Sequence, residues 1–192
     1  STVRWRCVSP SRTRFRAWLS STSIPLVRLA DSVTVPSEYL VEVFGKFGIT
    51  ARAISNVIDE GQFKFRERSS LQPRFLSNRN LFPLYNVACI LKAFAIIQKE
   101  FPDASLMLAG DGSERANLER LAKELELRNI TFTGLVAPSA MPDLYNEADL
   151  FLNSSDIDNM PGSILESFAS GLPVITTNAG GIPYIVTHEK TG

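Results

Sequence analysis

The chain has 192 residues, enough for one full domain and part of another. Lys plus Arg and Asp plus Glu both number 20, so the formal net charge is zero and no global field draws the chain toward nucleic acid or a membrane surface. Cys7 and Cys89 make neither a disulfide framework nor a metal spacing, which fits a reducing compartment, and no apolar run approaches the roughly 20 residues that span a bilayer.

Residues 1–30 stand apart. Arg4, Arg6, Arg12, Arg14, Arg16 and Arg28 all precede the first acid, Asp31, with Trp5, Phe15 and Trp18 interleaved. Three readings are open: a solvated tail or part of a helix, a basic amphipathic segment in peripheral contact with anionic lipid, and an acid-poor transit peptide. Nucleic-acid binding needs more than this and is not expected.

From Asp31 the pattern becomes regular. Ser32-Val33-Thr34-Val35 is strand-like, and Ser37 is placed to cap a helix running from 38 to about 46, with Tyr39, Leu40, Val43, Phe44 and Phe47 on helical spacing. Gly48 ends it, and 50–54 reads as another strand leading into Asn56-Val57-Ile58-Asp59. Residues 31–59 are taken as the end of a first domain. The next stretch, 60–73, is polar and aperiodic and reads as a linker.

A second domain is expected over 74–192. Phe75-Leu76-Ser77 forms a strand that Asn78-Arg79-Asn80 closes early. Residues 86–98 make an amphipathic helix with Val87, Ile90, Leu91, Phe94 and Ile97 on one face, and Pro102 beyond its end. Ser105-Leu106-Met107-Leu108-Ala109 is a buried strand, Gly110-Asp111-Gly112 a turn, and Ser113 a cap for a helix burying Leu118, Leu121, Ala122 and Leu125. Residues 129–133 form the next strand with Gly134 after it, 138–146 a short helix, and Leu150-Phe151-Leu152 another strand. Strands alternating with helices of about 10–15 residues mark an α/β fold with a doubly wound parallel sheet. Ligands bind past the carboxyl ends of such strands, where Gly110, Gly112, Gly134, Asp158 and Gly180 all fall.

The stretch 158–181 reads as loop, short helix, buried strand and glycine turn. Ser163 is expected to cap the helix, Gly171 to stop it in the left-handed region, Val174-Ile175-Thr176-Thr177 to form the strand and Gly180-Gly181 to break it. Asp158 and Glu166 bracket the helix start with seven residues between them. The bare N–H groups at a helix start, with the positive end of its dipole, attract an anion. A carboxylate shares such a pocket only if it faces neutral hydroxyls, so the pattern points to a ligand carrying both phosphate and sugar. A structural reading competes: Ser163-x-x-Glu166 is also a capping box, and Asp158 is also an ordinary turn residue. His188, the single histidine, reads as a surface residue, and no Gly-x-Ser-x-Gly elbow, zinc spacing or P-loop is present. The chain starts without Met and stops at Thr191-Gly192 in a turn-like stretch, so a fragment is expected.

This stretch resembles the signature of the retaining glycosyltransferases of family 4, the group 1 glycosyl transferases, which have the GT-B fold. Their pattern is Glu, seven residues, Glu, then A-x-G-x-P-V and a Gly-Gly turn. It stands here as Asp158, Glu166, Ala169-Ser170-Gly171-Leu172-Pro173-Val174 and Gly180-Gly181-Ile182-Pro183, with Asp for the first Glu and Tyr184 where an acid often follows the proline. Residues 30–40 match A-D-x-V-x-V-P-S-E-Y-L, 102–112 match P-D-x-x-L-x-x-x-G-D-G, and 130–134 resemble V-x-F-x-G. Family members place an arginine and, five residues on, a lysine against the donor phosphates. Arg79 matches the first, while Leu84 stands at the lysine position. Losing a paired charge from a buried phosphate site costs about 2–5 kcal/mol of binding.

The resemblance implies transfer of a hexose from a nucleotide-diphosphate sugar to an acceptor hydroxyl with retention, in glycan or glycolipid synthesis. Asp158 and Arg79 would be catalytic. Glu166 would hold the ribose hydroxyls, amides near Gly162 and Ser163 the diphosphate, and Gly110, Gly112, Gly134, Gly180 and Gly181 would complete the donor site. No cofactor or divalent metal is implied. The partners would be a nucleotide-sugar, UDP-type among them, and a glycan or lipid-linked acceptor, and the setting the cytoplasm or the cytoplasmic face of a membrane. Two alternatives remain: an epimerase or phosphorylase on the same fold, and a nucleotide-sugar-binding module without activity. A nicotinamide enzyme is disfavoured, because no G-x-G-x-x-G follows a first strand.

Overall fold

The computed structural model describes residues 24–192; the arginine-rich readings for 1–23, with Arg4 to Arg16, Trp5, Phe15 and Trp18, lie outside the described residues. The chain divides into two units between Ser55 and Asn56. In the first, a short helix α1 (Ile24–Val27) precedes β1 (Thr34–Val35), α2 (Glu38–Gly45) and β2 (Arg52–Ala53). Ser37 caps α2 as expected, its backbone extended and its Oγ accepting the Leu40 N–H at 3.3 Å. The strands pair in parallel, Thr34 opposite Arg52, and are shorter than the expected 32–35 and 50–54. Each has only the other to bond among the described residues, so the pairing ends where that single ladder ends.

The second unit is built on a five-stranded parallel sheet. Its strands are β3 (Arg74–Ser77), β4 (Ser105–Ala109), β5 (Ile130–Gly134), β6 (Leu150–Asn153) and β7 (Val174–Thr176), in the order β5-β4-β3-β6-β7. Helices α3 (Val87–Glu100), α4 (Arg115–Glu124), α5 (Met141–Glu147) and α6 (Gly162–Ala169) connect them. Because strand side chains alternate, Phe75 and Leu152 join Leu91, Phe94 and Leu118 in one core, while Leu76 and Phe151 join Tyr145, Ile164 and Val174 in another. The sheet is thus covered on both faces. The chain winds outward from β3 to β5, then returns to lay β6 on the other side of β3, so the loops after β3 and β6 part at the sheet's switch point.

Several expectations need correction. Ser113 does not cap α4; Glu114 precedes the helix and makes no capping bond. Ser163 does not cap α6 either: the helix begins at Gly162 behind Pro161, whose fixed φ suits a helix entrance but which brings no side-chain acceptor. The capping-box alternative therefore falls. Among the described residues β7 is the edge strand of the sheet, not a buried one, and Ile175 is 55% exposed.

The segment expected as a linker, 60–73, packs within the second unit. Arg68, with a side chain only 2% exposed, donates to the carbonyls of Tyr145 (2.9 Å), Ala148 and Ser170 (2.6 Å), the C-terminal ends of α5 and α6. Arg66 reaches the Ala148 carbonyl and Asp149, and Phe63 meets Tyr145 edge to face at 5.7 Å. Arginines that satisfy orphan carbonyls follow no hydrophobic period, which is why the stretch reads as featureless.

Candidate functional site

The switch point brings Arg79, two residues past β3, against Asp158, five past β6. Their ion pair is 2.5 Å, with both side chains mostly buried. The same guanidinium lies 3.4 Å from Ser163 Oγ, on the second residue of α6, and its Cζ sits 4.3 Å above the Tyr85 ring. Arg79 is thus held at the start of α6 from two sides. Leu84, at the position the resemblance assigns to a lysine, is 43% exposed and adds no charge; its neighbour Tyr85 supplies the ring under Arg79.

Among the described residues no side chain caps α6, and no acid stands in its first turn, so the N–H groups of Gly162 and Ser163 keep their anion-attracting character. A Cβ built on Gly162 meets none of the described residues within 4 Å, so they leave the space beside this helix entrance open. One turn on, Glu166 turns away from Ser163 and takes the Tyr145 hydroxyl at 2.6 Å. Glu166 and Asn78 line a cavity of about 410 Å³ with Phe63, Val136 and Met141. A larger cavity, about 700 Å³, holds none of the expected site residues and is lined mainly by apolar groups such as Phe65, Leu165 and Phe168. Chemistry therefore favours the smaller one.

The other glycines have backbone reasons of their own. A Cβ on Gly110 would lie 2.6 Å from the Arg79 carbonyl, and one on Gly112 would strike the Leu81 carbonyl, so both let the Arg79 loop pass close over β4. Gly134, at φ +74°, accepts the Gly110 N–H at 2.9 Å and fastens the ends of β4 and β5. Gly180 (φ +56°) and Gly181 press against the carbonyls of Asp158 and Asn159, and Gly181 N–H donates to the Asp158 carbonyl at 2.8 Å. These five shape the loops that carry Arg79 and Asp158. His188 is at the surface, 90% exposed.

Residues 59–192 match the family described as Glycosyl transferases group 1. The chain belongs to that family. Among curated relatives it is 33% identical to an alpha-monoglucosyldiacylglycerol synthase of Streptococcus pneumoniae, across 81% of this chain and 38% of the relative. It is 27% identical to a sulfoquinovosyl transferase of Arabidopsis thaliana, across 87% of this chain and 34% of the relative. The chain thus spans little more than a third of these group 1 relatives. Among solved structures, the Anabaena protein HepE in complex with UDP and glucose superposes with a TM-score of 0.76 at 22% identity, over 90% of this chain and 53% of that one. The fold is that of a GT-B glycosyltransferase half.

Three site-side groups escaped the sequence reading. Tyr145 on α5 holds Glu166, Asn78 donates to the Tyr145 hydroxyl at 2.7 Å, and Tyr85 underlies Arg79. Asn78 and Tyr85 were legible only as neighbours of flagged positions, and Tyr145 only as a core residue of a short helix.

Proposed function

We propose that this chain carries the donor-binding part of a retaining hexosyltransferase. Glu166 holds the ribose hydroxyls of a nucleotide-diphosphate sugar, Asp158 faces the donor hexose, and Arg79 with the Gly162 and Ser163 amides takes the diphosphate. Gly110, Gly112, Gly134, Gly180 and Gly181 shape the loops around it. The observation that carries this reading is the convergence of Arg79, Asp158 and Ser163 at an uncapped helix start, with Glu166 lining the adjoining 410 Å³ cavity. Catalysis is mainly electrostatic: as the sugar leaves, charge develops on the diphosphate, and prealigned amides and a guanidinium lower its energy without reorganising. The reaction uses no metal or other cofactor.

The names of the relatives favour a lipid-linked acceptor: one is a monoglucosyldiacylglycerol synthase, and a 30% identical protein of Mycobacterium tuberculosis is a GDP-mannose-dependent phosphatidylinositol monomannoside mannosyltransferase. Action at the cytoplasmic face of a membrane suits such an acceptor. Among the described residues no helix is long and apolar enough to cross a membrane. The test is product analysis with UDP- and GDP-hexoses and glycolipid vesicles. A new glycoside that keeps the donor's anomeric configuration is expected; an epimerised nucleotide-sugar would overturn the reading. Leu84 favours a second one, a module that binds nucleotide-sugar without turnover, and calorimetry showing UDP binding with no product would select it.

A further inference from the structure

Glu166 reads a nucleotide only if its carboxylate is presented in one orientation, and a glutamate on a helix has three rotatable bonds with which to avoid that. The residues around it remove the choice. Tyr145 is fully buried, and its hydroxyl lies 2.6 Å from Glu166 Oε2 and 3.3 Å from the Ser163 carbonyl. A phenol has one proton and therefore serves one of these acceptors at a time. The shorter, charged acceptor is Glu166. Asn78 Nδ2 then approaches the same hydroxyl at 2.7 Å. Since the tyrosine proton goes to Glu166, the hydroxyl can only accept from Asn78, so the amide must present its nitrogen. Its oxygen is left buried with no partner among the described residues. A flipped amide would pull the tyrosine proton away from Glu166. Burial first, and then the charge of Glu166, push the phenol far above its ordinary range, so it remains a donor at any working pH.

We infer that Asn78, Tyr145 and Glu166 form a directed hydrogen-bond relay in which Asn78 and Tyr145 are positioning residues, fixing Glu166 Oε2 so that Oε1 is presented to the nucleotide ribose. The inference rests on the proposed role of Glu166 and extends it to two residues that touch no ligand in that reading. Asn78 lines the same cavity as Glu166, so the relay runs along the cavity wall. It also gives Asn78 a use that a bare turn beside Arg79 would not require.

The test is calorimetric titration of the 192-residue chain with UDP and GDP and with the 2′,3′-dideoxy form of whichever binds. The proteins are the wild type, Glu166→Ala, Tyr145→Phe, Asn78→Val and the Tyr145→Phe/Glu166→Ala double variant. Tyr145→Phe should weaken the ribonucleotide about tenfold and the dideoxy form hardly at all, because only the hydroxyl contact depends on the carboxylate. Asn78→Val should lose less, since Tyr145 keeps its proton but gains freedom to serve Ser163 instead. In the double variant, Tyr145→Phe should add no loss to that of Glu166→Ala. Wild-type affinity in both Tyr145→Phe and Asn78→Val, with affinity lost in Glu166→Ala, would overturn the relay and leave the ribose role standing. Equal losses for ribo and dideoxy nucleotides, or losses that persist in the double variant, would mean Tyr145 acts only through packing, and would also overturn it. Unchanged affinity in Glu166→Ala, or no nucleotide binding at all, would remove the ribose role and the relay together.

Discussion

Strands β3 and β6 carry an arginine–aspartate cluster at each end, and the two are built differently. Before the strands, Asp149 is fully buried and meets Arg74 at 2.7 Å, Arg66 at 2.9 Å and Arg68 at 3.6 Å. Beyond them, Asp158 keeps 11% of its side chain exposed and, among the described residues, pairs with one arginine, Arg79. Burial alone would raise the Asp149 carboxyl, but hydrogen bonds from Arg74 and Arg66 and their charges outweigh it, and its pKa falls below the ordinary range. Three guanidiniums around one carboxylate leave no function for a ligand to displace. Arg79 and Asp158 have a bond to trade, beside an open helix entrance. Similar chemistry serves as a lock at one end of the strands and, in the proposed function, as a site at the other.

Breaking the lock should have the largest effect. Asp149→Ala leaves the nearly buried Arg68 without its countercharge and should cost about 3–5 kcal/mol, read by chemical denaturation. Acid should do the same gradually. A lowered folded pKa means the Asp149 contribution is complete above the unfolded value of about 3.9 and is lost as pH falls through the folded one. A melting temperature followed from pH 7 to pH 2 should drop in that acid window, and Asp149→Asn should flatten the drop; an unchanged profile would mean the cluster is inert.

At the site end the effects should shift from stability to function. Gly180→Ala places a Cβ against the Asp158 carbonyl at a positive φ, and should cost about 2–3 kcal/mol and weaken nucleotide binding with it. Asp158→Asn keeps an acceptor for the mostly buried Arg79 but removes its countercharge, and should cost about 1–2 kcal/mol in melting experiments while abolishing the proposed hexose transfer; loss of fold equal to that of Asp149→Ala would erase the distinction between the clusters. The smallest stability change belongs to Gly162→Ala. Open space and a helical position predict equal or slightly higher stability, by about 0.5–1 kcal/mol, while the added methyl crowds the diphosphate and lowers affinity.

Much of this architecture was legible in the residues. The hydrophobic periods of 86–98 and 105–109 marked α3 and β4, and the alternation of elements implied the doubly wound sheet. The acidic loop, Arg79 and α6 were legible through the spacing of Asp158, Glu166 and the glycines. What escaped depends on contacts distant in sequence. Arg68 and Asp149 are 81 positions apart (149 − 68), and no local pattern reports that they meet. Tyr145 and Glu166 share a hydrogen bond only because α5 and α6 pack on the same face. The capping-box motif misled for the opposite reason: it is local, and the tertiary partner Tyr145 outcompeted it for Glu166.

A structure of the chain with UDP or GDP bound would show where the nucleotide sits. Diphosphate oxygens are expected within hydrogen-bond distance of the Gly162 and Ser163 amides and the Arg79 guanidinium, with the ribose hydroxyls on Glu166. A nucleotide seated elsewhere, with Glu166 touching only Tyr145, would contradict the proposed function.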